Sequence, residues 1–379
     1  MSGGTFTLVN GGTLNNPVTV LASSTIGCSG NSAINGAISG NSILSAAPSA
    51  GNVLTFQAST ANFTGVVTLG NGAGNLRFNQ SGTWGVPNAT LDLGTNIANA
   101  YTRLTGSGTT YLGALTGGPK TSLLSSDQNG HPGSVVTYVI GALNSDFTFA
   151  GSIKDNGYLT AITKVGAGTW TLTGTDNYSG LTLVGAGTLQ ISNSLTTTNF
   201  LIVSNTATLD LPGTVTANTV QINGGGTLTG CGAIFGNLLN NGSVLADCGA
   251  TLEITGNITN NGAMQFLNGS GLAVTGTFVN NGLLDLLTGV QNLPANFINR
   301  GTVLLATNIV VTSFVKTGGT LLLTIYGYDG HTYQLQRSAT LNNANWQNAG
   351  PPQDGADATL TFSDTPVGSQ NFYRVSVSQ

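Results

Sequence analysis

Charged residues are scarce in this sequence of 379 residues. Asp, Glu, Lys and Arg make up 6% of it, against about 25% in an ordinary soluble domain. The nine Lys and Arg residues are scattered and the net charge is −4, so no basic stripe is present that could neutralise nucleic-acid phosphates. We therefore expect no nucleic-acid partner. A surface with so few charges can pack against another protein at little desolvation cost.

Long apolar runs are missing as well. No stretch of 18 or more apolar residues is available to span a bilayer, so we expect no membrane span. Residues 1–4 contain neither the charged nor the apolar region of a signal peptide. If the native precursor is exported, we expect its signal to be absent from this chain.

Cysteine is too rare to hold the fold together. Cys231 and Cys248 are 17 residues apart, close to one turn of the repeat described below. They could stack on adjacent coils and form a disulfide in an oxidising compartment, or remain buried thiols. No further ligand-type side chains lie near them, so we expect no metal and no cofactor.

Helix signals are also absent, because every candidate for i, i+3, i+4, i+7 apolar spacing is interrupted by Gly, Thr or Asn. Short strand signals occur instead from the first residues onward, as in residues 5–9 and 90–93. The sequence therefore predicts an all-β protein.

A turn motif recurs in the second half of the chain. Asn-Asn-Gly begins at Asn240, Asn260 and Asn280, and Asn-Arg-Gly begins at Asn299, at intervals of 20, 20 and 19 residues. Short apolar strands flank each motif, so we expect Leu245 and Leu284 to point inward. We assign turns with positive φ, which Asn and Gly tolerate, to the following residues: Asn241, Gly242, Asn261, Gly262, Asn281, Gly282 and Gly301.

A two-strand unit of this size cannot bury its apolar face alone, whereas coils stacked on one another close both the core and the backbone hydrogen bonds. The constant period therefore favours a parallel β-solenoid with asparagine ladders. Antiparallel hairpins, which also use Asn-Gly turns, are the alternative. Coils of about 20 residues would give about 16 coils before the C-terminal segment.

The segment from Lys164 to Ile191 reads KVGAGTWTLTGTDNYSGLTLVGAGTLQI. It resembles the autotransporter-associated β-strand repeat, found in bacterial passenger regions and in large secreted proteins of Verrucomicrobia and Planctomycetes. The resemblance implies a right-handed parallel β-helix, an extracellular or cell-surface location, and a structural role in carriage, display or adhesion. The resemblance is close over some 60 residues, and most of the remaining sequence shares only the general character of the repeat.

Composition changes near Tyr326, where aromatic and charged residues become more frequent. Alternation over 333–337 and 372–377 predicts half-buried strands. This part resembles a short C-terminal module of secreted Verrucomicrobia proteins, which implies an immunoglobulin-like or fibronectin-like sandwich. We expect a β-solenoid over 1–323, clearest at 164–310, followed by a small β-sandwich over 324–379. The sandwich could cap the last coil or serve in surface attachment.

Enzymes are the alternative class, because parallel β-helices also carry polysaccharide lyases and hydrolases. A glycoside hydrolase needs two carboxylates about 5 to 9 Å apart. The nearest candidates are Asp247, Glu253 and Asp285, and the acids follow no single coil period. His131 and His331 are both expected to be surface turn residues.

The prediction is therefore a non-enzymatic extracellular structural or surface protein, acting as a filament subunit or an adhesin. Strand-like sequence begins at Thr5 with no polar cap before it, so the N-terminal edge is expected to be open. The expected partner is a second copy, bound end to end or side by side, or else a surface glycan or protein. The alternative function is a polysaccharide-active β-helix enzyme.

Overall fold

The computed structural model describes residues 1–70, 74–79, 83–103, 106–126, 132–290, 292–341 and 345–378. Within these ranges the regular structure is β, apart from one short 3-10 helix at Ala306–Asn308. No helix in the described part of the chain has the length and apolar character needed to cross a bilayer.

The first half of the solenoid contains short strands separated by bends. Their bounds are β1 Ser2–Leu8, β2 Thr13–Leu14, β3 Val18–Val20, β4 Ala22–Cys28, β5 Ser32–Ile34, β6 Ile38–Gly40, β7 Ile43–Pro48, β8 Val53–Phe56, β9 Asn62–Phe63, β10 Val66–Leu69, β11 Asn75–Phe78, β12 Trp84–Asp92, β13 Ala98–Thr102, β14 Gly108–Thr116, β15 Thr121–Ser126, β16 Val135–Ile140, β17 Phe147–Phe149 and β18 Ser152–Lys154.

The second half continues in the same style with more regular spacing. Its strands are β19 Leu159–Lys164, β20 Thr169–Leu172, β21 Thr175–Tyr178, β22 Thr182–Val184, β23 Gly187–Ile191, β24 Ser194–Thr197, β25 Phe200–Val203, β26 Ala207–Asp210, β27 Thr214–Ile222, β28 Thr227–Thr229, β29 Ala233–Asn240, β30 Ser243–Ala246, β31 Thr251–Ile254, β32 Ile258–Asn260, β33 Ala263–Phe266, β34 Gly271–Val274, β35 Phe278–Asn280, β36 Leu283–Asp285, β37 Phe297–Asn299 and β38 Thr302–Leu304.

These strands pair in parallel, each with the equivalent strand one coil away. One run extends from β1 through β4 and β7 to β35 and β37, a second from β2 to β34, and a third from β17 to β38. The predicted parallel β-solenoid is therefore confirmed, and the hairpin alternative is wrong for this part of the chain.

The number of coils is lower than expected. Thr68 lies in register with Asp92, 24 residues further along, whereas Asn240 and Asn260 are separated by 20 residues. The first coils keep the predicted spacing of 20 residues, but along the first run of strands the coils between about residues 43 and 164 are longer, at 23 to 28 residues. The solenoid therefore has about 14 turns, and the expected 16 is too high.

A single apolar core fills the solenoid from Leu8 to Leu286. Along most strands, buried residues alternate with outward-facing ones, as in β16 and β20. Fully burying a Leu, Ile or Val side chain contributes about 1.5–3 kcal/mol. Leu284 points inward as predicted, but Leu245 does not. Val244 is the residue in register with Met264 and Leu284, so Leu245 falls on the outer face.

The C-terminal part is antiparallel. Its strands are β39 Val311–Thr317, β40 Thr320–Gly327, β41 Thr332–Ser338, β42 Gln347–Asn348, β43 Gln353–Asp354, β44 Ala358–Asp364 and β45 Phe372–Ser378.

Two sheets make up this part, β39-β40-β44 and the sheet in which β41 pairs with β42, β43 and β45. Leu323, Ile325, Tyr333, Leu335 and Phe362 form a separate small core, consistent with the predicted small β-sandwich. Parallel pairing ends with β38 and antiparallel pairing begins with β39, so the expected division between 323 and 324 falls inside β40.

Candidate functional site

A ladder of buried asparagine amides runs along one corner of the last coils. Nδ2 of Asn240 donates to Oδ1 of Asn260 at 2.7 Å, Asn260 donates to Asn280 at 2.7 Å, and Asn280 donates to Asn299 at 2.8 Å. The first three side chains are fully buried. The second Nδ2 hydrogen of Asn260 is taken by the carbonyl of Leu283 at 2.9 Å. The buried amides are thus hydrogen-bonded within the fold.

A second ladder lies beside the first on the exposed side of the corner. Nδ2 of Asn281 donates to Oδ1 of Asn261, and Nδ2 of Asn261 donates to Oδ1 of Asn241, both at 2.8 Å. The donors of this outer ladder point toward the N-terminus, whereas those of the inner ladder point toward the C-terminus. The turn residues predicted from sequence therefore form an exposed amide row backed by a buried one.

The glycines of the motif are required for a different reason from the predicted one. The glycines lie at the corners as expected, but the predicted positive φ is wrong for them and for the asparagines: it is found at none of Asn241, Gly242, Asn261, Gly262, Asn281, Gly282 and Gly301. A Cβ at Gly262 would overlap the carbonyl oxygen of Gly242 in the coil below, and the same clash recurs at Gly282 and Gly301. Close approach of stacked backbones, not a left-handed conformation, selects glycine here.

The predicted cysteine pair lies close together in the structure. Cys231 and Cys248 have Cα atoms 6.3 Å apart, and their sulfur atoms form a disulfide. Ser270, which is fully buried, accepts hydrogen bonds from the amides of Cys248 and Gly249 at 3.0 Å each. Cys28 is a free, buried thiol whose pKa is raised by burial.

One lysine and one aspartate are fully buried within the segment 164–191. Lys164 donates to the carbonyls of Val165 and Gly166 at 2.8 Å and of Ala186 at 3.1 Å, and burial lowers the pKa of Lys164 to about 8. Asp176 accepts one hydrogen bond, from the amide of Ile153 at 2.8 Å, and its other oxygen has no partner. Burial raises the pKa of Asp176 to about 7.

The three candidate acids lie in different environments. Asp247 is exposed and accepts from Nδ2 of Asn268 at 2.7 Å, and Glu253 is exposed on β31. Asp285 is 1% exposed at the end of β36, where it meets the C-terminal sandwich. No group of three or more His, Cys, Asp or Glu side chains suited to a metal ion is found among the residues that the structure describes.

A buried hydrogen bond between a histidine and an aspartate joins the solenoid to the sandwich. Nε2 of His331 lies 2.7 Å from Oδ2 of Asp285, and Oδ1 of Asp285 accepts from the amide of Leu287 at 3.0 Å. Burial raises the pKa of Asp285, but the bonds from His331 and Leu287 outweigh it and hold the pKa below its ordinary value. The contact is made on the side of the solenoid, one coil before β37 and β38.

The expectation that His331 is a surface turn residue is therefore wrong, because only 2% of it is exposed. The Asp-Gly pair before it does form an exposed turn, but the His331 side chain points away from solvent and contacts Asp285 of the solenoid. No local sequence signal marks this contact, since the two partners are 46 residues apart. His131 lies outside the described residues.

Comparison with known families gives one match. Residues 162–191, from β19 to β23, match the family model of the passenger-associated-transport-repeat, which overlaps the segment singled out from sequence. No curated protein shows significant similarity to the chain. The repeat and the solenoid together indicate a passenger-type domain of a secreted or surface protein.

Proposed function

We propose that this chain is a non-catalytic structural protein of the cell surface, a stiff passenger-type rod that displays the sandwich at its C-terminal end. The observation that supports the proposal is that buried polar side chains are hydrogen-bonded within the fold. The amides of the inner ladder, the ammonium of Lys164 and the Asp285 carboxylate are all buried and hydrogen-bonded to the fold itself. Buried polar groups that are hydrogen-bonded within the fold make it more rigid, and they are not available as catalytic groups.

A binding role fits this rod better than a catalytic one, and we assign it to adhesion. Asp247 and Glu253, the candidate acids that are exposed, belong to different runs of strands: Asp247 follows β30 in the third run, and Glu253 is on β31 in the second. The test is to incubate the purified chain with a panel of polysaccharides and to measure new reducing ends and unsaturated products. We expect neither. Turnover that disappears in Asp247→Asn would instead establish the enzyme.

Filament formation is a second candidate, favoured by the end of the solenoid. Among the described residues, β37 pairs only with β35 and β38 only with β36, although the chain continues beyond both. Unpaired strand edges promote association, and few surface charges oppose it here.

Electron microscopy and light scattering distinguish a filament subunit from a monomeric adhesin. Fibres that are lost in Ile298→Lys, which places a charge on β37, would support assembly through this edge. Val290→Lys is the matched control, because Val290 is about equally exposed and lies outside the strand. Monodisperse rods at micromolar concentration would contradict assembly and leave adhesion as the function.

A further inference from the structure

A cleft of about 580 Å³ opens where the solenoid meets the sandwich. Its solenoid wall includes Gln265 and Thr302 from the third run of strands, and its sandwich wall is formed by β40 and the turns after β40 and β43. The buried His331–Asp285 pair holds the two walls together beside it. Clefts between two structural units are frequent ligand sites.

The sandwich wall carries an aromatic surface of fixed orientation. Tyr326 is 40% exposed, although its strand neighbour Ile325 is fully buried. Its hydroxyl donates to the carbonyl of Asp357 at 2.7 Å, and its ring meets the edge of Tyr328 with centroids 5.1 Å apart at 67°. The ring is therefore held in place, and part of its surface remains open to a ligand.

The polar groups around this ring are mainly hydrogen-bond acceptors. Asp329 and Asp357 are exposed, and the amide of Asp329 donates to Oδ1 of Asp357 at 3.1 Å, which fixes one carboxylate beside the tyrosines. Ionised carboxylates accept hydrogen bonds but cannot donate them. No Lys or Arg is found among the described residues that line the cleft.

We propose that this cleft binds a saccharide unit of the surface glycan that the rod adheres to, so the inference rests on the proposed adhesive function. A pyranose ring offers an apolar face for Tyr326 and a rim of hydroxyl donors for Asp329, Asp357 and the side chain of Gln265. A neutral or amine-bearing sugar fits this rim. A uronic acid does not, because its carboxylate would face two others without a cation between them.

Binding is measured by isothermal titration calorimetry on the full chain with three probes: a cello-oligosaccharide, a glucosamine oligomer and a galacturonate oligomer. We expect the first two to bind and the third to bind at least about tenfold more weakly. Equal binding of all three, or no binding of the first two, would overturn the proposal. Neither result would affect the polysaccharide-turnover or microscopy tests, so failure of the site is distinguishable from failure of the surface role.

Substitutions at one tyrosine locate the site. Tyr326→Ala should weaken binding about tenfold, because the aromatic face is lost. Tyr326→Phe should retain most of it, since only the bond to the Asp357 carbonyl is removed. Tyr111→Ala is the matched control, because Tyr111 is 39% exposed on β14 in the solenoid and should leave binding unchanged. Equal losses in Tyr326→Ala and Tyr111→Ala would place binding elsewhere.

Discussion

At the scale of single residues, the segment that matches the passenger repeat buries a lysine and an aspartate in different ways. Lys164 reaches three carbonyl oxygens, so each of its three N–H donors has a hydrogen-bond partner. Asp176 receives one amide and leaves one oxygen unpartnered. Because a buried carboxylate with an unpaired oxygen is costly, Asp176 should weaken the fold whenever it is ionised.

Asp176 is therefore expected to make stability depend on pH. Its pKa rises from an ordinary value of 3.8, which applies to the unfolded chain, to about 7 in the fold, so between these values the folded state binds more protons. Its contribution to the free energy of unfolding falls as pH rises from about 4 to about 7 and is constant above that. Asp176→Asn removes the charge, so the variant should gain roughly 4 kcal/mol over wild type at pH 8 relative to pH 4.

Denaturant titrations of both proteins at several pH values check this expectation. Asp247→Asn is the control, because it makes the same substitution at an exposed carboxylate. A difference between Asp176→Asn and wild type that stays constant from pH 4 to pH 8 would show that Asp176 does not titrate as inferred.

At the scale of the strand and turn, the two asparagine ladders differ in burial and should differ in energetic weight. Asn260 links Asn240 to Asn280 inside the corner, whereas Asn261 links Asn241 to Asn281 outside it. Removing an inner amide leaves buried partners unsatisfied, while water can replace an outer one.

Matched alanine variants test this difference. Asn260→Ala should lower the free energy of unfolding by about 2–4 kcal/mol, because both neighbouring amides lose a partner in a buried site. Asn261→Ala should cost less than about 1 kcal/mol. Denaturant unfolding followed by circular dichroism gives both values. Equal costs would contradict the assignment of the inner ladder as the stabilising one.

The corner glycines provide a second test at this scale. Gly262→Ala places a methyl group against the Gly242 carbonyl and should cost about 3 kcal/mol or more, since stacked coils must separate to accommodate it. Gly106→Ala is the control, because a Cβ there meets no atom within 4 Å and its φ is not positive. Thermal melts should show a large decrease in the melting temperature of Gly262→Ala and almost no decrease for Gly106→Ala.

Local sequence determined which of these features could be predicted. The period and the turn positions were visible because Asn and Gly recur every 20 residues. The reason for glycine was not, because the clash involves the neighbouring coil and not the turn's own φ. Leu245 was misplaced for a related reason: one residue of difference in register exchanges the inner and outer faces of a strand.

At the scale of the whole molecule, the solenoid and the sandwich have separate cores, and the His331–Asp285 pair is a buried polar link between them. Sequence could predict two units from the change in composition. It could not predict their contact, because one Asp in a solenoid strand and one His in a distant turn carry no shared pattern.

This pair should couple the unfolding of the two units. His331→Ala leaves the Asp285 carboxylate buried without its partner, so docking should weaken by about 3–5 kcal/mol. Differential scanning calorimetry should then resolve a separate, lower transition for the sandwich, whereas wild type should show one shared transition. The double variant Asp285→Leu with His331→Leu removes both polar groups and should recover much of the coupling, because an apolar contact can replace a buried ion pair.

Acid should have the same effect as His331→Ala. The pKa of Asp285 is lower in the fold than its ordinary value of 3.8, so its contribution to stability is present above about pH 4 and is lost as pH falls through the folded-state pKa. Calorimetry at decreasing pH should therefore show the shared transition of the wild type dividing at strongly acidic pH. In the double leucine variant this contribution is absent, so its transitions should change less over the same range. If both proteins divide at the same pH, some group other than Asp285 controls the junction.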